Sequence, residues 1–264
     1  MKRLSARRRH PLAAVVVLLL ALGVVGGLYA TFAPSGTAEA ADDASSLQIQ
    51  EGKGLYITSC SSCHGLNAEG TSDGPPIAGV GAASVDFQVG TGRMPLQSRE
   101  NQGPRKKQFF TEKETAAIVA YVASIAPGGA PVPAPEQYAT DGDLQEGGEI
   151  FRTNCASCHN FIGKGGALTQ GKYAPNLTEV DPKHIYEAMV TGAGKGAMPT
   201  FSDGILTPDQ KKDVITYIKS IHEQPDPGGF AAGRIGPVAE GLLVWTAVIG
   251  ALIGAAVWLG ARPS

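Results

Sequence analysis

Two stretches of the chain carry no charge, one near each end. Residues 12–33 and 241–261 run for 22 and 21 residues on apolar or small side chains, enough as helices to cross the ~30 Å hydrocarbon layer of a bilayer. Between them the pattern changes. Residues 111–125 and 207–221 place apolar side chains at i, i+3, i+4 and i+7, each run opening on a threonine. That spacing predicts two amphipathic helices with Thr111 and Thr207 as N-caps. A further short helix is expected over about residues 182–190, with Met189 as one of its apolar residues. Residues 127–135 are proline, glycine, alanine and valine only, and predict an extended, fairly stiff linker.

Charge gives the two apolar runs a direction. Lys2, Arg3, Arg7, Arg8 and Arg9 precede the first, and Arg262 follows the second. Under the positive-inside rule both chain ends are cytoplasmic and everything between lies outside. The first run suits either a retained transmembrane helix or a signal segment: its length favours retention, while Ala38-Glu39-Ala40 has the form of a cleavage site. The second is the anchor. Gly250 and Gly254 there form a G-x-x-x-G pair that would admit a neighbouring helix, although such residues are common in membrane helices. The region between carries 16 basic against 24 acidic residues, which argues against a nucleic-acid partner.

The middle of the chain is a duplication. Residues 51–64 align with residues 146–159 without a gap, matching Gly52 to Gly147, Tyr56 to Phe151 and Thr58 to Thr153. Residues 111–125 align with residues 207–221, sharing Tyr121/Tyr217, Ser124/Ser220 and Ile125/Ile221. The expected organisation is a basic tail (1–11), an apolar segment (12–33), a linker (34–46) and a first domain (47–126). A Pro/Gly-rich linker (127–139), a second domain (140–224), a linker (225–240) and a transmembrane helix (241–261) follow. Each domain reads as helix, motif, long loop and terminal helix, giving a mainly α fold. Tyr121 and Tyr217 read as packing residues rather than electron relays.

All four cysteines fall inside the duplicated segments, as Cys60-Ser-Ser-Cys63-His64 and Cys155-Ala-Ser-Cys158-His159. Thiols three positions apart add across the two vinyl groups of one haem, and the adjoining histidine ligates the iron. A zinc site built from two Cys-x-x-Cys pairs needs no histidine after each, and a redox dithiol would sit near a βαβ pattern, which is absent from the sequence. Two covalently bound haem c groups are therefore expected, with iron ligated by His64 and His159.

The sixth ligand decides between electron transfer and small-molecule chemistry. Met94-Pro95 and Met198-Pro199 occupy matching places between motif and terminal helix. A thioether there raises the potential and closes the iron to external ligands. His184 and Met189 are the competitors at the second site. His222 reads as a surface residue, and His10 lies on the tail. Pro75 and Pro175 follow the motifs at comparable distance; either is an ordinary turn proline or offers its carbonyl to the proximal histidine Nδ1–H.

With these motifs, each repeat resembles a class I cytochrome c, over residues 47–222 in all. The layout of basic N-terminus, apolar segment, two such domains and C-terminal helix resembles the dihaem cytochrome cc subunit of the actinobacterial cytochrome bcc complex. That resemblance implies two tandem cytochrome c domains and a place beside cytochrome b and a Rieske iron–sulfur protein. The first haem would take an electron from the Rieske cluster and the second would pass it to a haem–copper cytochrome c oxidase. The chain would serve as the electron-transfer subunit of a quinol–cytochrome c reductase, with no substrate chemistry of its own. Two other roles use the same motifs: an anchored acceptor for a periplasmic dehydrogenase, and a cytochrome subunit of an oxidase. A peroxidase would need one open or His-ligated iron, which the paired Met-Pro sites oppose.

Overall fold

The structure is a computed structural model that describes residues 11–32, 38–97, 102–193, 198–223 and 241–261. Residues 1–47 form one unit and residues 48–264 another. The first contains α1 (Pro11–Phe32) and the beginning of α2 (Ala38–Ser59). Helix α2 covers residues 38–46, part of the stretch expected to be a linker. The run Ala38-Glu-Ala-Ala-Asp-Asp-Ala is rich in alanine, the strongest helix former, and contains neither glycine nor proline to stop it.

The rest of the chain is built from two similar sets of helices. The first set is α2, the single turn α3 (Ser61–His64), α4 (Ala82–Gly90) and α5 (Glu112–Ile125). The second is α6 (Leu144–Asn154), the turn α7 (Ala156–His159), α8 (Pro182–Thr191) and α9 (Pro208–Glu223). A minimal antiparallel ribbon, β1 (Gly166–Ala167) and β2 (Tyr173–Ala174), pairs Gly166 with Ala174 and Ala167 with Tyr173. The chain is mainly α, as its pattern predicts.

Both terminal helices start where the threonines place them. Thr111 accepts a hydrogen bond from the Glu114 amide while the Glu114 carboxylate accepts from the Thr111 amide, a reciprocal capping box. Thr207 and Gln210 repeat the arrangement at α9. The apolar faces of these helices then meet the helices that carry the motifs. Tyr56 packs on Tyr121 with ring centroids 5.3 Å apart, and Phe151 on Tyr217 at 5.5 Å. Glycines sit where each pair crosses: a Cβ at Gly52 would stand 1.9 Å from the Ala117 carbonyl oxygen, and one at Gly147 2.0 Å from that of Asp213.

Not every glycine serves contact. Gly54 is an exposed mid-helix residue with open space around it. Gly54→Ala removes backbone freedom from the unfolded chain and should stabilise the first domain by about 0.5–1 kcal/mol. At about 4–8 °C per kcal/mol for a domain of this size, thermal unfolding should rise by roughly 2–8 °C. Unchanged or lowered melting would contradict the open environment.

Helix α4 lies in a segment that reads as loop. Seven of its nine residues are buried, so tertiary packing rather than local propensity holds it. Residues 127–135 fold back instead of standing clear as a spacer: the Ala83 amide donates to the Ala130 carbonyl at 3.0 Å. Just beyond, Gln137 donates to the Tyr186 hydroxyl at 2.9 Å. One end of the linker is thus tied to the first domain and the other to the second. The domains also touch each other directly, α4 facing α8. Near the C-terminus, Gly241–Gly260 forms α10, long and apolar enough to cross a membrane, with π-helical geometry over Val244–Ile249. Residues 12–28 within α1 form a shorter apolar helical stretch.

Candidate cofactor sites

Each motif folds as one helical turn after a longer helix. Cys63 and His64 donate their amides to the Cys60 carbonyl at 3.1 and 2.9 Å; Cys158 and His159 make the same bonds to Cys155 at the same distances. Residues at i, i+3 and i+4 of a helical turn share a face. Two thiols and an imidazole are therefore presented together, twice.

The histidine rings are oriented by the prolines. His64 Nδ1 donates to the Pro75 carbonyl at 2.8 Å, and His159 Nδ1 to the Pro175 carbonyl at 3.1 Å. With Nδ1 carrying the proton, Nε2 is left as the basic nitrogen, the one available to a metal. Burial pushes His159 below the usual imidazole pKa, the Pro175 carbonyl opposing it, a shift in the direction of the neutral ring that a ligand requires. Burial and then the neighbouring thiol push Cys60 and Cys155 up to about 11. A working redox dithiol needs the opposite shift. All four cysteines are free of disulfides.

Each methionine packs on the core of its own domain. Met94, its amide held at 2.9 Å on the Gln88 carbonyl at the end of α4, packs on the first-domain core, as do Cys60, Ile77 and Val80. Met198 packs on the second-domain core, as do Cys155 and Leu177. Each domain thus offers two thiols, an imidazole with its outer nitrogen fixed, a thioether and an apolar surround. That donor set fits one haem c per domain, covalently attached.

The competing ligands are engaged elsewhere. Met189 is 3% exposed, inside the second core on α8. His184 is hydrogen-bonded through Nδ1 to Glu187 Oε2 at 2.8 Å, with its ring edge-on to Phe87 of the first domain. The side chain of His222 and all of His10 lie outside the described residues.

A feature that sequence reasoning missed lies at the domain contact. Asp86 of α4 meets Lys183, His184 and Glu187 of α8. Aspartate in a short helix and a Lys-His-x-x-Glu run are each unremarkable alone. Nothing in the spacing of two segments about 100 residues apart pairs them.

Comparison with known proteins gives two family matches. The cytochrome c family covers residues 49–126, and the family described as cytochrome c oxidase, cbb3-type, subunit III covers residues 142–218. The cytochrome bc1 complex cytochrome c subunit of Mycobacterium tuberculosis is 46% identical over 266 residues, spanning 98% of this chain and 94% of its own. The protein of the same name from Corynebacterium efficiens is 44% identical, spanning 99% and 93%. The cbb3-type oxidase subunit FixP of Azorhizobium caulinodans is 26% identical, spanning 67% of this chain and 60% of its own.

Proposed function

From the premise that this chain belongs to the family of cytochrome bc1 complex cytochrome c subunits, we infer that it is the membrane-anchored dihaem subunit of a quinol–cytochrome c reductase. Its partners in that reading are cytochrome b and a Rieske iron–sulfur protein, with a haem–copper oxidase as acceptor. The observation that carries it is identity of 44–46% along nearly the whole length of both proteins, joined to a donor set that occurs once in each domain. The oxidase-subunit alternative draws on FixP, a more distant relative matched over a smaller share of each chain.

Each residue has a physical task in this reading. Cys60, Cys63, Cys155 and Cys158 would hold the porphyrins by thioether bonds. His64 and Met94 would hold the iron of the first haem, and His159 and Met198 that of the second. Pro75 and Pro175 fix the proximal rings and strengthen their donation. Bound haem c supplies a one-electron iron couple, and His/Met ligation poises it high. The chain keeps water and foreign ligands away by packing each methionine and one cysteine onto an apolar core. With α10 as anchor and both basic flanks cytoplasmic, the domains face the outside of the membrane.

Tandem domains suit a relay. Tethering replaces a diffusing carrier by an effective concentration set by geometry, and here the linker is tied down at both ends.

Purification in mild detergent tests the partners. Cytochrome b, the Rieske protein and haem–copper oxidase subunits should accompany the chain, and pyridine haemochrome assay should return two covalent haems per chain. Recovery of the chain alone, or with a dehydrogenase, would overturn the assignment.

A further inference from the structure

The contact between the two domains buries more acid than it has base to balance. Asp86 lies on α4 and Glu187 on α8, 6% and 0% exposed. Ligand-type atoms of Asp86, His184 and Glu187 lie within 4.8 Å of one another. Lys183 Nζ stands 2.5 Å from Asp86 Oδ2, and His184 Nδ1–H donates to Glu187 Oε2 at 2.8 Å. Apart from that ammonium, no donor among the described residues reaches Asp86 Oδ2 or Glu187 Oε1. Two adjacent carboxylates, both buried, cannot both stay ionised beside one lysine. A proton on Glu187 turns an acceptor into a donor and satisfies both oxygens.

We propose that the two domains are clamped by a single proton held between Asp86 and Glu187, which with Lys183 and His184 act as positioning residues that set one cofactor site against the other. The proposal rests on the two-haem reading above. Around the clamp the fit is close. A Cβ at Gly90 would stand 2.9 Å from His184 Cε1. The Gln88 side chain donates to the Ala193 carbonyl at 3.1 Å. Gln102 donates to the Tyr173 carbonyl and accepts from the Tyr173 amide, both at 2.9 Å. The same three ligand atoms have the spacing of a small metal site, but the Lys183 ammonium already faces Asp86.

Protonation gives the contact a pH dependence with a definite sign. Burial, then the hydrogen bond and charge of Asp86, push Glu187 up to about 10 from an ordinary 4.5. Burial would raise Asp86 as well, yet the bond from Glu187 and the Lys183 ammonium hold it below its usual value. Undocked, Glu187 returns to the ordinary carboxyl range, so docking takes up one proton anywhere between these limits. The docked population is favoured at low pH and falls by about tenfold per pH unit as pH rises. His184 acts in the opposite sense: burial lowers its pKa from 6.5, so its contribution is confined to acid pH. The other charges facing the cluster are Asp181 at the start of α8 and Arg105 of the first domain, with the Tyr138 hydroxyl beside Lys183.

The test is hydrogen exchange of α4 and α8 in the full chain in detergent, wild type against Glu187→Gln, between about pH 7 and 9. The glutamine amide still donates to Asp86 and carries no titrating proton. The ratio of variant to wild-type protection should climb about tenfold per pH unit. Asp86→Asn, which lets Glu187 ionise beside Lys183, should flatten the wild-type slope. A constant ratio would overturn the proposal, and a slope abolished by EDTA would replace the proton with a metal ion and overturn it equally. Two covalent haems per chain in wild type and Glu187→Gln show that the two-haem reading stands whatever the slope; a single haem would fail that reading instead.

Discussion

A Met198→His chain should keep both covalent haems and lose roughly 0.2 V of midpoint potential at its second site alone, within the ~0.8 V range that axial ligands command. A thioether is soft and neutral and favours ferrous iron, whereas a second imidazole is the stronger donor and favours ferric iron. In the proposed reading attachment depends on Cys155 and Cys158, which the substitution leaves alone. At about 59 mV per factor of ten for one electron, such a drop moves the electron-sharing equilibrium between the two sites by about three powers of ten. Transfer from the first site to the second would then be opposed by that amount. Potentiometric titration of the visible haem bands reads both steps at once, and Met94→His should move the other. Met189→Leu and His184→Ala are the controls: Met189 is buried core and His184 is hydrogen-bonded to Glu187. A second-site potential indifferent to Met198→His and sensitive to His184→Ala would transfer the ligand role to His184.

The parts of this molecule that can be read from its residues are those whose chemistry is local. Cys60, Cys63 and His64 lie on one face of one turn because of their spacing, so the motif needs no partner to be recognised. Thr111 and Glu114, or Thr207 and Gln210, announce helix starts three residues apart. Gly52 and Gly147 become legible through duplication, since a glycine in the same place in two repeats marks a repeated crossing. Helix α4 is illegible for the converse reason: its nine residues hold together by burial, with glycine at both ends. The linker illustrates a different limit. Its composition describes a stiff spacer, but not that Ala130 is hydrogen-bonded to α4 and Gln137 to Tyr186. The pairing of Asp86 with Glu187 joins segments about 100 residues apart, where neither periodicity nor motif spacing reaches.

The helix crossing in the second domain should tolerate almost nothing larger than hydrogen at position 147. The Cβ of any other residue there would stand 2.0 Å from the Asp213 carbonyl oxygen and 2.4 Å from its carbon. These are backbone atoms of α9, so no side-chain rotation relieves the clash; the helices must separate. Separation pulls Phe151 off Tyr217 and loosens the core that also carries Met198 and Cys155. Overpacking of this kind costs about 1–3 kcal/mol or more. A domain of roughly 85 residues has little stability to spare, so Gly147→Val should lower its unfolding temperature by about 10–20 °C or prevent haem retention altogether. Gly148 provides the internal contrast. Its Cβ would meet only the Arg152 guanidinium and the Tyr217 ring, both at 3.0 Å, and the guanidinium at least is the far end of a flexible chain. Gly148→Ala also gains helix propensity, so it should cost far less than Gly147→Val. Circular-dichroism melting of the two variants beside wild type decides the point: equal losses at 147 and 148 would mean that the helices do not cross at Gly147.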